Sequence, residues 1–496
     1  MKINIPLSKI ILLGIITGFI ILSGNILFPK FIGWIGIYTD EARYVATAYN
    51  INETGELLSA THFPQDIIKT GTEHKPVHMP LYMIVMAIWL KIFPHPISII
   101  TLNQILFIIV IFLMWGFITS YKYSLNLDNS LLFAVLITTP LAFVFSNFAM
   151  RESFVLFVGT LTFISWFAIS YEPVRFYLLY CIGLIGFITS LPLLLLTMSI
   201  LITHPREIIQ MHLKILGDKP FKWLIHIVFV SFLIWIAYIC FTNRGFYPNF
   251  ITKLRTHGDI INIISLVLKN LVNNLDYYFS FKKFPHDIMY FYYILIYSLT
   301  IFITIIGRNT KFFKLFLTVA VFWSISLIII LCLYDNFIWR SHRVFMINSI
   351  ISTVTLIIWL KNYRQLANRR KAKIRMIIIW FFFLVHTGLV FLQIKYFQNY
   401  RNYHKNKGNH ILTQLNLAEP GDLALVDKED RAFQFLVENL QCQVIRKVPK
   451  NTEQIFLLIK KAKPRFVLVK DSIDLGTLNY IPVVQDLKNQ VWVREE

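Results

Sequence analysis

The sequence predicts an all-α polytopic membrane protein that ends in a small α/β domain, and three observations carry that prediction. Of 496 residues, 56% are hydrophobic and only 15% charged, with a mean hydropathy of +0.59, whereas soluble domains average roughly a quarter charged. Apolar runs of membrane-crossing length recur as far as about residue 398. After about Tyr400 the pattern becomes short β-type runs alternating with helical spacing. The formal charge of +21 would suggest nucleic acid in a soluble chain. Here it is the excess of Lys and Arg that cytoplasmic loops retain, and no nucleic-acid partner is expected. Cys181, Cys240, Cys332 and Cys442 show no metal-like spacing and imply no disulfide framework.

The first run, Ile10 to Leu27, follows only Lys2 and Lys9 and precedes no small-x-small cleavage site, so it reads as an uncleaved signal anchor. Further spans are expected near 97–119, 131–149, 153–170, 176–190, 191–203, 223–242, 288–306, 313–333, 344–360 and 376–394, about eleven in all. The pair from 176 to 203 divides at Pro192, because the charge distribution needs two crossings there. Met79 to Phe93 is too short to span and carries Lys91, so it is expected as an interfacial helix, 79–93, at the outer face.

Charge then orients the chain. The loop from Lys361 to Arg375 holds seven Lys or Arg and no acid. It falls on the cytoplasmic side together with the loops around Arg206 to Lys222 and Arg308 to Lys314. The outer side receives the loop 29–79, a second large loop 243–287, a short loop near Asp335 and the tail. The organisation is therefore a transmembrane domain, 1–398, in the plasma (inner) membrane, and an extracytoplasmic α/β domain, 399–496. In that tail Leu423–Val426, Gln443–Val448 and Arg465–Val469 read as strands. Phe433, Leu436, Val437 and Leu440, then Ile455, Leu458, Ile459 and Ala462, recur at helical spacing, which suggests parallel pairing.

The outer segments hold nearly all polar residues able to do chemistry. The first loop carries Thr39-Asp40-Glu41-Ala42-Arg43-Tyr44, then Glu73-His74-Lys75-Pro76 and His78-Met79-Pro80-Leu81-Tyr82. Adjacent carboxylates beside a membrane helix are costly unless solvated or used, so one of them is a candidate base. With Phe148-Ala149-Met150-Arg151-Glu152 and Gly186-Phe187-Ile188-Thr189-Ser190-Leu191-Pro192, these residues resemble the GT-C membrane glycosyltransferases. The nearest branch is the protein O-mannosyltransferase and lipid A aminoarabinose transferase group. Ser190 stands where that family commonly has Lys, and Glu73-His74-Lys75 has one residue more than its Glu-Lys-Pro.

The resemblance implies a GT-C-like fold and transfer of a sugar from a polyprenyl-phosphate carrier to a lipid, glycan or protein acceptor outside the cytoplasm. It implies Asp40 as base, Glu41 orienting it or meeting the acceptor, and Glu152 as a second acid. The departing phosphate needs no proton, so one carboxylate suffices for a single displacement with inversion. Cations must meet the carrier phosphate: Arg43, Lys75, Arg244, Lys253, Arg255, Arg340 and Arg343 are the candidates, the arginines for their planar fork, with Tyr44 and Tyr82 alongside. The plain alternative for Arg340 and Arg343 is interfacial anchoring beside Trp339. Glu73, His74 and His78 are the candidates for a divalent metal, the one cofactor the sequence raises. A transporter or flippase of lipid-linked sugars is the alternative function, but it would place ionisable groups at mid-span, and here they lie in the outer loops.

Overall fold

The computed structural model describes residues 39–55, 61–62, 80–94, 98–120, 129–140, 142, 146, 151–217, 227, 230–231, 260–279, 286–333, 337–362, 374, 376–393, 422–426, 443–446, 452–469, 474–486 and 489–495. In chain order its helices are α1 (Thr39–Thr54), α2 (Pro80–Ile92), α3 (Ser98–Ser120), α4 (Asn129–Ile137), α5 (Glu152–Ala168), α6 (Glu172–Thr189) and α7 (Leu191–Thr203). These are followed by α8 (Pro205–Gly217), α9 (Ile260–Phe279), α10 (His286–Ile306), α11 (Phe313–Leu333), α12 (Phe337–Asn362), α13 (Met376–Gln393) and α14 (Thr452–Ala462). Strands are β1 (Thr61–His62), β2 (Leu423–Val426), β3 (Gln443–Arg446), β4 (Phe466–Val469), β5 (Tyr480–Asp486) and β6 (Asn489–Arg494).

Among the described residues four helices are long and apolar enough to cross a membrane: α3, most of α10, α11 and α13. The bent pair α7–α8 makes a fifth if counted as one span. The expected total of about eleven extends over 10–27 and most of 223–242, which lie outside the described residues. Where span 131–149 was expected, α4 stops at Ile137 and the chain turns through Thr138, Thr139 and Pro140. Proline disfavours a helical conformation at the residue before it, and the Thr138 hydroxyl donates back to the Ala134 carbonyl at 2.8 Å.

Two compact units separate, one holding the described residues of 104–146 and 151–393, the other those of 39–103 and 422–495. In the first, α5, α6 and α7 pack on one another, α7 packs on α11, and α10, α11 and α12 pack together. The break between α6 and α7 falls at Ser190, with Pro192 in the first turn of α7, where a missing N–H costs nothing. Gly183 lets α6 approach α7 closely, since a Cβ there would stand 2.8 Å from Thr197 Cγ2. Some interior polar groups pair across helices: Trp323 Nε1 donates to Ser352 Oγ at 2.6 Å, and Asn348 Nδ2 to Ser326 Oγ at 3.2 Å. In lipid no water replaces such partners.

The second unit contains a six-stranded sheet in the order β1-β3-β2-β4-β6-β5. β3, β2 and β4 are parallel neighbours, and α14 crosses from β3 to β4. Ile455, Leu458 and Ile459 of α14 are buried with Leu425, Ile445, Val467 and Trp492. The expected parallel pairing is present, but the sheet continues antiparallel through β6 and β5. It also extends outside 399–496: Thr61 and His62, within the segment 29–79, pair in parallel with Val444 and Ile445.

Candidate functional site

The paired carboxylates sit at the start of a helix. Asp40 and Glu41 occupy the first turn of α1 and Arg43 opens the next; free backbone N–H groups at a helix start and the helix dipole favour negative charge there. By helical register Asp40 lies one turn before Tyr44, and Glu41 one turn before Val45. Both Tyr44 and Val45 are buried, as are Thr47, Ala48 and Tyr49, so the turn carrying the acids is continuous with a tightly packed face.

That face rests on α2 and the start of α3. Tyr44 meets Tyr82 edge to face, with centroids 6.1 Å apart. The Tyr82 hydroxyl is bonded to the Asn103 side-chain amide. Asn52 Nδ2 donates to the Ala87 carbonyl at 2.9 Å, the Tyr49 hydroxyl to the Pro94 carbonyl at 2.7 Å, and Trp89 Nε1 to the Ser98 carbonyl at 2.8 Å. Burial pushes the Tyr49 phenol up to about 12, so it stays a donor across the physiological range. α2 has 13 residues, about 20 Å at 1.5 Å per residue, short of a bilayer core of about 30 Å. It forms where 79–93 was expected to be helical.

Glu152 belongs to the other unit. It opens α5, is 2% exposed, and lies 3.9 Å from Arg151 Nε through its Oε1. Arg340 and Arg343 fall within the first two turns of α12, three residues apart and hence on one side of the helix. The start of α12 follows α11, whose last turn is held by α9: Asn274 Nδ2 donates to the Leu331 carbonyl at 2.8 Å and Asn270 Nδ2 to the Cys332 carbonyl at 3.2 Å. Those carbonyls lack intrahelical partners at a helix end.

Among the expected site residues, Tyr44 and Tyr82 come together directly, and Asp40, Glu41 and Arg43 lie within the four residues before Tyr44 on the same helix. Lys75, Arg244, Lys253, Arg255, Glu73, His74 and His78 lie outside the described residues. Among the described residues no cluster of three or more His, Cys, Asp or Glu could hold a metal. Sequence reasoning missed Asn103, Asn270 and Asn274 as structural polar groups. The signal for Asn103 was the amide pair Asn103-Gln104 within the apolar run Ser98–Ser120.

No protein-family model and no curated protein matches the sequence. Solved structures do match in fold. ArnT from Cupriavidus metallidurans, as crystallised bound to undecaprenyl phosphate and in the apo state, aligns with a TM-score of 0.54 at 11% identity. Each alignment covers 97% of this chain and 98% of the other. At that identity the likeness is one of fold.

Proposed function

We propose that this chain is an integral membrane glycosyltransferase that moves a sugar from a polyprenyl-phosphate carrier to a lipid, glycan or protein acceptor on the extracytoplasmic side. The observation that carries the reading is the whole-chain likeness of fold to ArnT, one of whose structures holds undecaprenyl phosphate. The reading is supported by two adjacent carboxylates, Asp40 and Glu41, at the start of a helix whose next turn packs through Tyr44 on Tyr82.

In the proposed reaction Asp40 takes the proton from the acceptor hydroxyl or amine as that atom bonds to the anomeric carbon. The bond from that carbon to the phosphate oxygen breaks, both electrons leave with polyprenyl phosphate, and the sugar carbon inverts. Glu41 orients Asp40 or holds the acceptor. Arg340 and Arg343, with Arg43, Lys75 and Arg244, offset the charge developing on the phosphate; such preorganised cations act most strongly where water is excluded. Glu152 is the second acid, held near Arg151. Tyr44 and Tyr82 fix the position of the turn. The about eleven spans, the outer location of the site and the extracytoplasmic tail domain belong to the same reading.

The test is transfer from a radiolabelled polyprenyl-phosphate sugar by the purified full chain. Asp40→Asn is expected to lower transfer at least ~100-fold, the scale of general-base catalysis. Wild-type transfer by that variant would remove Asp40 from the mechanism. Absence of transfer by the wild-type chain across a panel of such donors would refute the reading itself.

A further inference from the structure

Helix α8 meets three environments around its circumference. With successive residues about 100° apart, Ile208 and Met211 face the bundle and are buried with Trp166 and Phe176. On the adjoining arc Ile209 and Leu213 are 57% and 62% exposed. Arg206, Gln210 and Lys214 complete the circle and are exposed. The helix is also turned: its axis makes 83° with that of α7, across a break at His204. A helix lying across a span, with one open stripe apolar and the next basic, fits the plane where acyl chains meet headgroups.

The other end of α11 gives an independent check. α8 is tied to the start of α11, through the Lys314–Glu207 ion pair and a 2.8 Å bond between the Thr203 and Thr318 hydroxyls just before it. α9 is tied to the end of α11 through Asn270 and Asn274. α9 likewise exposes an apolar stripe, Ile264, Leu268 and Val272, beside Ser265 and Lys269. From Lys314 to Cys332 the two attachments lie 18 residues apart along α11, about 27 Å, close to a hydrocarbon thickness of about 30 Å.

Charge distinguishes the α8 end. Its described acids are engaged, Glu172 by Lys214 at 3.0 Å and Glu207 by Lys314 and by Arg175 at 3.8 Å. Arg206 is exposed on α8 itself, and Arg308 and Lys311 are exposed in the turn before α11, Lys311 with its ammonium 5.1 Å over the Phe312 ring. We infer that α8 is an in-plane anchor that binds anionic phospholipid of the adjoining leaflet, with Ile209 and Leu213 among acyl chains and Arg206, Arg308 and Lys311 at the lipid phosphates. The inference is independent of the proposed transfer reaction.

The full chain, reconstituted in vesicles of equal phosphatidylcholine and phosphatidylglycerol and then extracted, is read by native mass spectrometry for retained lipid. At least a threefold preference for phosphatidylglycerol is expected, falling to parity in the combined Arg206→Gln, Arg308→Gln, Lys311→Gln variant. Equal retention in the wild type, or an unchanged preference in the variant, overturns the inference. A second measurement does not need that variant to fold. In phosphatidylglycerol nanodiscs, open to water on both faces, Gln210→Cys should react with a charged maleimide at least tenfold faster than Leu213→Cys, read site by site by peptide mass spectrometry. Equal rates would place the whole outer arc in water and overturn it.

Discussion

The Tyr82 hydroxyl donates to Asn103 Oδ1 at 3.3 Å and accepts from its Nδ2 at 3.2 Å, and both side chains are 0% exposed. This polar pair lies directly beneath Tyr44, one helical turn from Asp40. Removing either partner takes both of these bonds from the other, which stays buried, so Tyr82→Phe and Asn103→Leu should each cost about 1–3 kcal/mol. The double variant should cost less than the sum, since both singles break the same interaction. Thermal unfolding in detergent measures this, and strict additivity would show that the pair is not coupled.

The contact of α6 with α7 predicts opposite outcomes for two glycines. Gly183→Ala drives a methyl to 2.8 Å from Thr197 Cγ2, and Thr197 is itself buried and bonded to the Leu193 carbonyl at 3.0 Å. The cost should be about 1–3 kcal/mol, as for other overpacked cores. Gly388→Ala in α13 meets nothing within 4 Å and should be neutral, or stabilising by up to about 1 kcal/mol from helix propensity. Melting temperatures of the two variants should therefore move apart.

Asn270 and Asn274 give a prediction that joins stability to function. Each satisfies a terminal carbonyl of α11, so Asn270→Leu and Asn274→Leu should each lose about 1 kcal/mol. If Arg340 and Arg343 meet the carrier, loosening the end of α11 should raise KM for the polyprenyl-phosphate donor more than it lowers kcat. Ser265→Ala, on the exposed side of the same helix, is the control. A change in kcat alone would separate this clamp from donor binding.

The membrane helices were legible because lipid leaves few options: α3 and α11 start and end within a residue of the apolar runs. Elements that touch more than one environment were not. α9 was read as part of a loop because its asparagines interrupt the apolar pattern, yet Asn270 and Asn274 face protein and the apolar stripe faces outward. β5 was hidden by Pro482, which a strand tolerates at a sheet edge, and β5 is the last strand of the sheet. β1 is two residues long and depends on partners almost four hundred positions away, a distance over which local pattern carries no signal. At the candidate site, the acids were visible as an adjacent pair. Their support was not, because the pairing of Tyr44 with Tyr82 and of Tyr82 with Asn103 depends on how three helices meet.

The sheet should lose stability in alkali through one phenol. Tyr480 is buried and donates to the Pro464 carbonyl. Burial raises its pKa to about 12, with Arg494 opposing the shift. An unfolded tyrosine titrates near 10, so the unfolded chain gives up this proton first. The stabilisation is complete below about pH 10 and is lost as pH rises through about 12. Hydrogen exchange across Tyr480–Asp486, corrected for the intrinsic rate, should therefore accelerate more steeply between pH 9.5 and 11.5 (values set by about those two pKa limits) in the wild type than in Tyr480→Phe. The variant should begin less protected by about 1 kcal/mol for the lost hydrogen bond and show a flatter pH profile. Parallel profiles would mean that the phenol stays protonated in both states or that another group governs the alkaline limit.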